Sequence, residues 1–508
     1  MPEIKKCEKK FCHFPKNAIH LSRLNTMDGY STTKTDMQHV QFTYSYYYLY
    51  SGPSKGGSLR VVKFDRQNYE LDHSSCLEAG AFLFSVWKKT ATCGAWRLRR
   101  TKPAKPTVTP ARRVENVEEY YFSVKLKEVA RMNESGARVI NLGIGSPDLP
   151  PSAETVQALC QAAARPDTHG YQPYVGIPEL RAEFARWYKR WYGVDLDPAN
   201  EILPLIGSKE GVMHISLAFL NEGDGVLIPN PGYPTYASVS KFVGARILPY
   251  ALKEENDWQP DFEALEKMDL SGVKLMWCNY PNMPTGANGS RELFEKLVAF
   301  GRRHNIVICH DNPYSFILND RPLSILSVPG AKEICIELNS MSKTFNMPGW
   351  RIGMVATNSR FLEWILRVKS NMDSGMFRPM QLAAVEALKA PDSWYQRMNE
   401  VYRRRRALAA RILETLGCDV RDDQVGMFLW GRVNDTLAAQ LTAAGECPNG
   451  VGEAICNRVL HQSRVFVTPG SIFGSEGRNY IRISLCCNEE MLQEALDRIT
   501  TTRTKQNQ

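Results

Sequence analysis

Apolar and polar positions along this chain show two textures, and the change between them falls near Ala111. Residues 118–132 carry charged and apolar side chains at the spacing of an amphipathic helix, and 139–142 read as a short strand. From Glu201 onward, short apolar runs alternate with amphipathic stretches. The runs 202–206, 226–228, 275–278, 306–309, 334–338 and 352–355 predict strands. Several are apolar at every position, as strands buried on both faces of a mostly parallel sheet have to be. Such alternation predicts an α/β fold. No internal repeat accompanies it.

Residues 1–107 follow no such period. They hold a tyrosine cluster (Tyr44, Tyr46, Tyr47, Tyr48, Tyr50), a glycine and serine patch at 51–58, and a basic, proline-punctuated run at 102–106 that reads as a linker. Charge divides the chain at the same place. The net charge of +9 invites a nucleic-acid reading, but residues 1–107 hold 18 Lys and Arg against 8 Asp and Glu, and the remainder holds 45 against 46. A general nucleic-acid surface on the main body is therefore unsupported. We expect 1–107 to lie outside the catalytic fold, as a disordered or non-native extension. It would be a flexible appendage, or upstream sequence joined to a true start near Val108.

No apolar run approaches the roughly 18 to 20 residues of a membrane-spanning helix, and the N-terminus lacks the apolar stretch of a secretory signal. Thirteen scattered cysteines, an odd number, do not form a disulfide framework. These features predict a cytoplasmic protein with no membrane partner. Cys7, Cys12 and His13 have no second ligand pair at zinc spacing, so no metal is expected.

The residues that carry chemistry sit at the ends of the predicted strands. Lys343 lies in Ser340-Met341-Ser342-Lys343, between the runs 334–338 and 352–355. A lysine there is a poor structural choice unless its amine has a task, because lysines otherwise stay in solvent. A buried lysine loses pKa and becomes nucleophilic enough for a Schiff base. Arg351 follows in the same segment, and a planar guanidinium can grip a phosphate through two hydrogen bonds. Asp311 closely follows the apolar run 306–309, where open α/β sheets gather their ligands, although an aspartate there can equally cap a helix. Gly207-Ser208-Lys209-Glu210-Gly211 follows the run 202–206. Its amides would open a helix whose dipole favours an anion, with glycine allowing close approach.

In this order along the chain, these segments resemble the pyridoxal-phosphate-dependent aminotransferases of class I and II, of fold type I. The resemblance covers residues 111–499, and segments 207–211, 369–377 and 468–470 look closest to the LL-diaminopimelate and aspartate types. It implies pyridoxal 5'-phosphate as cofactor and an α/β fold whose large domain, 161–390, holds a mostly parallel, seven-stranded-type sheet. A small α/β domain would come from both chain ends, 108–160 and 391–502. By the same resemblance Lys343 carries the cofactor covalently and serves as general acid and base, Asp311 faces the pyridine nitrogen, and Tyr314 bonds the phenolic oxygen. Ser208, Lys209, Ser340, Ser342 and Arg351 would surround the phosphate, and Tyr233 would stack on the ring. Gly145 and Arg482 would hold the substrate, Arg482 by its α-carboxylate. Tyr171 would reach the phosphate of a neighbouring subunit, which implies a homodimer with shared active sites. The activity implied is ping-pong transfer of an amino group from an amino acid to a 2-oxo acid.

One position departs from the family pattern. Where the family shows Asn-Pro-Thr-Gly, this chain reads Asn282-Met283-Pro284-Thr285-Gly286, and a methionine cannot donate to the phenolic oxygen. Either Asn282 takes over by a local shift, or Tyr314 carries the interaction alone. Two rival functions remain. Another fold-type I enzyme, such as a carbon–sulfur lyase, would share every cofactor contact. A pyridoxal-phosphate-binding transcription regulator would fit the basic extension by size and charge, but no helix–turn–helix spacing occurs there.

Overall fold

In the computed structural model of the chain, residues 109–506 are described apart from 116, 118 and 120, together with the backbone strands Tyr47–Leu49 and Arg60–Val62. The fold divides into two units, Met1–Pro106 and Thr107–Gln508. In the first, the two strands pair antiparallel with Tyr47 opposite Val62, an element that the sequence pattern does not announce. Cys7, Cys12, His13, Tyr44, Tyr46, Tyr50 and the runs 51–58 and 102–106 lie outside the described residues.

The second unit is organised by a seven-stranded sheet. Its strands are β1 (Ile202–Leu205), β2 (Gly225–Asn230), β3 (Arg246–Ala251), β4 (Val273–Cys278), β5 (Val307–Asp311), β6 (Cys335–Ser340) and β7 (Gly353–Ala356). The spatial order is β1-β7-β6-β5-β4-β2-β3. Only β7 runs antiparallel to its neighbours β1 and β6; the rest pair in parallel. Strands β5 and β6 are buried at every residue, which explains why Val307–Cys309 and Cys335–Ile336 are apolar without alternation, while His310, Asp311, Glu337, Asn339 and Ser340 are polar residues buried with them. Each predicted run forms a strand, shifted by a residue or two. The pattern does not reveal β3, an edge strand that alternates exposed and buried positions and contains Pro249, a residue tolerated at an edge.

Helices return the chain between strands. Three matter below: α1 (Tyr121–Glu134), α2 (Ser208–Phe219) and α3 (Ser359–Lys369). Helix α1 occupies the predicted 118–132 stretch with its start moved to Tyr121. Asn358 caps α3 by accepting from the Phe361 amide. A second, four-stranded antiparallel sheet is formed by β8 (Cys418–Val420), β9 (Phe428–Val433), β10 (Thr468–Pro469) and β11 (Tyr480–Ser484), in the order β8-β9-β11-β10. A parallel pair, Ile140–Asn141 with Val465–Phe466, joins the early part of this unit to its late part. Nine cysteines are free thiols among the described residues, and no described helix is long and apolar enough to cross a membrane.

Candidate functional site

Strands β1, β5 and β6 share one direction, so their C-terminal ends open at one edge of the sheet. That edge is where a parallel α/β sheet offers loops and helix N-termini to a ligand. Gly207, Asp311 and Ser340 stand there, from three stretches of sequence far apart.

Gly207 is the N-cap of α2, with φ 79, and a Cβ on it would lie 2.1 Å from Arg351 Nη2. The guanidinium thus presses Nη2 against the backbone that opens α2, and only glycine leaves room for it. Arg351 donates to the Pro348 carbonyl at 2.8 Å and reaches the Ser342 hydroxyl at 3.5 Å. Ser340 caps the short helix Met341–Thr344 by accepting from the Ser342 amide. Lys209, in the first turn of α2, has its pKa lowered by burial and then by the Arg351 charge. Two cations at one helix N-terminus, beside two hydroxyls, make an anion cup.

Lys343 lies at the end of that short helix and donates to the Gly145 carbonyl at 2.6 Å. Burial holds its amine below the ordinary lysine pKa; Arg351 and Arg482 push the same way, and only the Cys486 thiol opposes them. Asp311 ends β5 in a fully enclosed position. Burial pushes its carboxyl up to about 6, against the hydrogen bond from Tyr236 and the charge of His310. The Tyr236 hydroxyl donates to one carboxyl oxygen at 2.8 Å, while the other, Oδ1, has no partner among the described residues. Tyr233 packs edge-on against Tyr236, and Tyr314 edge-on against Phe428. Burial raises both phenols above their ordinary pKa.

The Arg482 guanidinium stacks 4.0 Å from the ring centre of Phe428 and 4.7 Å from that of Phe473, and Nη2 donates to the Gly143 carbonyl at 2.7 Å. A Cβ on Gly145 would fall 2.2 Å from the Phe428 ring, so the glycine segment is pressed against the second sheet. Met283 turns its sulfur to Arg482 Nη1 at 3.2 Å. Asn282 lies in the same loop, beside Met283. Its amide donates to the Asn279 carbonyl at 3.1 Å and accepts from the Thr285 hydroxyl at 2.8 Å, so both ends are used within the loop. Tyr171 is 92% exposed.

Three supporting residues escape the sequence reading. Tyr236 bonds Asp311; Asn279 donates to the Asp311 carbonyl at 2.6 Å and accepts from the Met283 amide at 2.7 Å. Arg405, 2% exposed, binds Asp148 through two parallel bonds of 2.6 and 2.8 Å and so fixes the far end of the Gly145 segment. Tyr236, in the helix Pro234–Phe242, pairs with a residue 75 positions away and Arg405 with one 257 positions away, so neither pairing leaves a local signal.

The cup, the amine and the unpaired Asp311 oxygen fit pyridoxal phosphate, which presents an anion, an aldehyde and a ring nitrogen that can carry a proton. Comparison with known proteins gives the same answer. Residues 137–499 match the family model described as aminotransferase class I and II. The LL-diaminopimelate aminotransferase of Oleidesulfovibrio alaskensis is 40% identical over 397 residues, which are 77% of this chain and 99% of that protein. Its counterpart from Dehalococcoides mccartyi is 38% identical over 398 residues, 78% of this chain and 99% of that protein. Among solved structures, substrate-bound BacF from Bacillus subtilis superposes with a TM-score of 0.71 at 34% identity, covering 78% of this chain and 97% of that one. A double mutant of aspartate aminotransferase from Thermus thermophilus gives 0.70 at 25% identity, with 78% and 100% covered.

Proposed function

From the premise that this chain belongs to the aminotransferase class I and II family, we propose that Lys343, Asp311, Arg351 and Arg482 form its reaction centre and that LL-diaminopimelate is its amino donor. The protein is a fold-type I, pyridoxal-phosphate-dependent transaminase acting on an amino acid and a 2-oxo acid. The observation that carries the residue assignment is the meeting, at one sheet edge, of a pKa-lowered amine, an unpaired buried carboxylate oxygen and a cationic cup.

When bound, pyridoxal phosphate supplies an aldehyde for the amino group and a ring that draws electrons from the substrate Cα. Arg351, Lys209 and the amides opening α2 hold the phosphate, with Ser208, Ser340 and Ser342 at the rim. Asp311 would face the ring nitrogen and keep its proton in place, since its Oδ1 has no hydrogen-bond partner among the described residues. Tyr233 would cover the ring and Tyr314 would stand at its phenolic oxygen, with Asn282 as a second candidate for that oxygen. Arg482 takes the α-carboxylate, its plane already fixed between Phe428 and Phe473. Lys343 would anchor the cofactor, and its free amine would take the proton from the substrate Cα, a task suited to a base whose pKa burial has lowered.

The donor assignment rests on relatives about 40% identical along nearly their whole length. A homodimer completes the reading: Tyr171, Tyr174, Met372 and Phe377 leave an exposed apolar surface from which Tyr171 would enter the partner's cup. We assign the large domain to 161–390, the small domain to 108–160 and 391–502, and a separate extension to 1–107, in a cytoplasmic enzyme. A donor panel with 2-oxoglutarate tests the substrate: LL-diaminopimelate should give the highest kcat/KM for glutamate formation, and a higher value for aspartate would overturn the donor. Pyruvate and ammonia released from cysteine conjugates would instead identify a lyase.

A further inference from the structure

Beneath the anion cup lies a cluster of charged side chains that the reaction centre does not use. Lys369, the last residue of α3, is 1% exposed. Its ammonium is bonded to the Asp373 carboxylate and lies 3.7 Å from Glu210 Oε1. Glu210 belongs to the first turn of α2; its other oxygen accepts from the Ile206 amide, one residue before the Gly207 cap, and Oε1 meets His214 Nε2 at 2.7 Å. Asp373 accepts from the Gly375 amide at 2.8 Å, and a Cβ on Gly375 would lie 2.4 Å from the Gln172 carbonyl. The cluster therefore runs from the backbone that opens the cup to the loop that carries Tyr171.

The ligand atoms of Glu210, His214 and Asp373 lie within 4.8 Å of one another, a spacing that would suit a small metal ion. The Lys369 ammonium already supplies the cation there. Burying it is unfavourable unless it is paired, and it finds two carboxylates. Burial alone would raise the Asp373 pKa, and the Lys369 and Gly375 bonds reverse that, which keeps the carboxylate ionised. An acid in the first turn of an anion-binding helix also needs a counter-charge, since uncompensated it would repel the ligand.

We propose that Lys369 is a positioning residue for the cofactor phosphate: its ammonium ties Glu210, which holds the Ile206–Gly207 backbone, to Asp373 in the turn abutting the Tyr171 loop. This rests on reading Gly207–Lys209 and Arg351 as the phosphate cup. Its consequence is selective. A displaced cup weakens the grip on phosphate and leaves the grip on the ring, held by Asp311 and Tyr233, unchanged.

The test uses the full-length apo-enzyme and two probes, pyridoxal phosphate and pyridoxal, which lacks the phosphate, titrated against the native protein, Lys369→Met, Asp373→Asn and Arg351→Ala. Lys369→Met should weaken pyridoxal phosphate roughly 10- to 100-fold, the range in which outer supports act on a bound ion, and leave pyridoxal within about twofold. Asp373→Asn should shift the same probe in the same direction, and decides the matter if Lys369→Met does not fold. Unchanged affinity for pyridoxal phosphate, or equal weakening of both probes, would overturn the proposal while Arg351→Ala still discriminates between them. If Arg351→Ala fails to discriminate, the phosphate reading falls and the proposal falls with it.

Discussion

Asp311 shows how one buried side chain serves catalysis against stability. The unfolded carboxyl titrates near 3.8 and the folded one near 6, so between those values the fold retains a proton that the unfolded chain gives up. Stability from this group is fully present below 3.8 and is lost as pH rises through 6, by about 3 kcal/mol at roughly 1.4 kcal/mol per unit. Apo-Asp311→Asn should therefore melt above the native apo-protein at pH 7.5, with the gap closing near pH 4. The same variant should lose transamination on the order of a thousandfold, about 4 kcal/mol in the barrier, because an amide cannot keep the ring nitrogen protonated. A loss below about tenfold would remove Asp311 from the ring. Lys343→Ala should bind cofactor without the covalent link, show no borohydride-sensitive visible band and no transamination; appreciable turnover would refute the anchor. At this scale the sequence was legible where chemistry is packed into one short segment, as from Ser340 to Arg351. Tyr236 and Arg405 were not, because a hydrogen bond between distant positions leaves no mark on either neighbourhood. The loop bonds of Asn282 to Asn279 and Thr285 were likewise not legible in the sequence.

At the scale of elements, the strand–loop–helix from β1 through Gly207 into α2 sets what the cup can hold. Gly207→Ala forces a side chain into a left-handed backbone conformation and pushes the Arg351 guanidinium aside. The backbone strain is on the order of 1 kcal/mol, which a chain of this size survives. The displaced guanidinium matters more, since the phosphate loses a two-pronged partner. Gly207→Ala should thus lower affinity for pyridoxal phosphate at least about tenfold, or 1.4 kcal/mol, with little change in melting temperature of the apo-protein. Equal cofactor affinity in the two proteins would show that Arg351 does not need that space. Buried strands such as β5 and β6 were readable from their apolar beginnings, where both faces demand apolar residues. The edge strand β3 was not, since half its positions meet solvent and its signal fades into the loops.

For the whole molecule, the apolar surface around Tyr171 and the extent of the catalytic body carry the remaining predictions. Tyr171→Phe should leave the dimer intact by sedimentation and weaken the cofactor about tenfold, as loss of one hydrogen bond to a charged group of about 1.5 kcal/mol would; a monomeric native protein would end the shared-site reading. The second prediction concerns residues 1–107. The relatives named above are matched over 99% of their own length by 77 to 78% of this chain, and the family match begins at residue 137. The fold divides at Pro106, and the second unit contains the seven-stranded sheet, the four-stranded sheet and every residue assigned to the reaction. Charge changes at the same boundary: the extension is strongly basic and the body nearly neutral. A catalytic body with its own core should survive removal of a neighbour across such a boundary. A chain beginning at Val108 should therefore remain folded, bind pyridoxal phosphate and transaminate within about twofold of the full-length protein, since a surface change away from the core shifts stability by only about 0.5 kcal/mol. Aggregation or cofactor loss in the shortened chain would mean that the extension is part of the catalytic fold. Retained catalysis with lost binding to DNA would revive the regulator reading, because the basic charge would then have a partner.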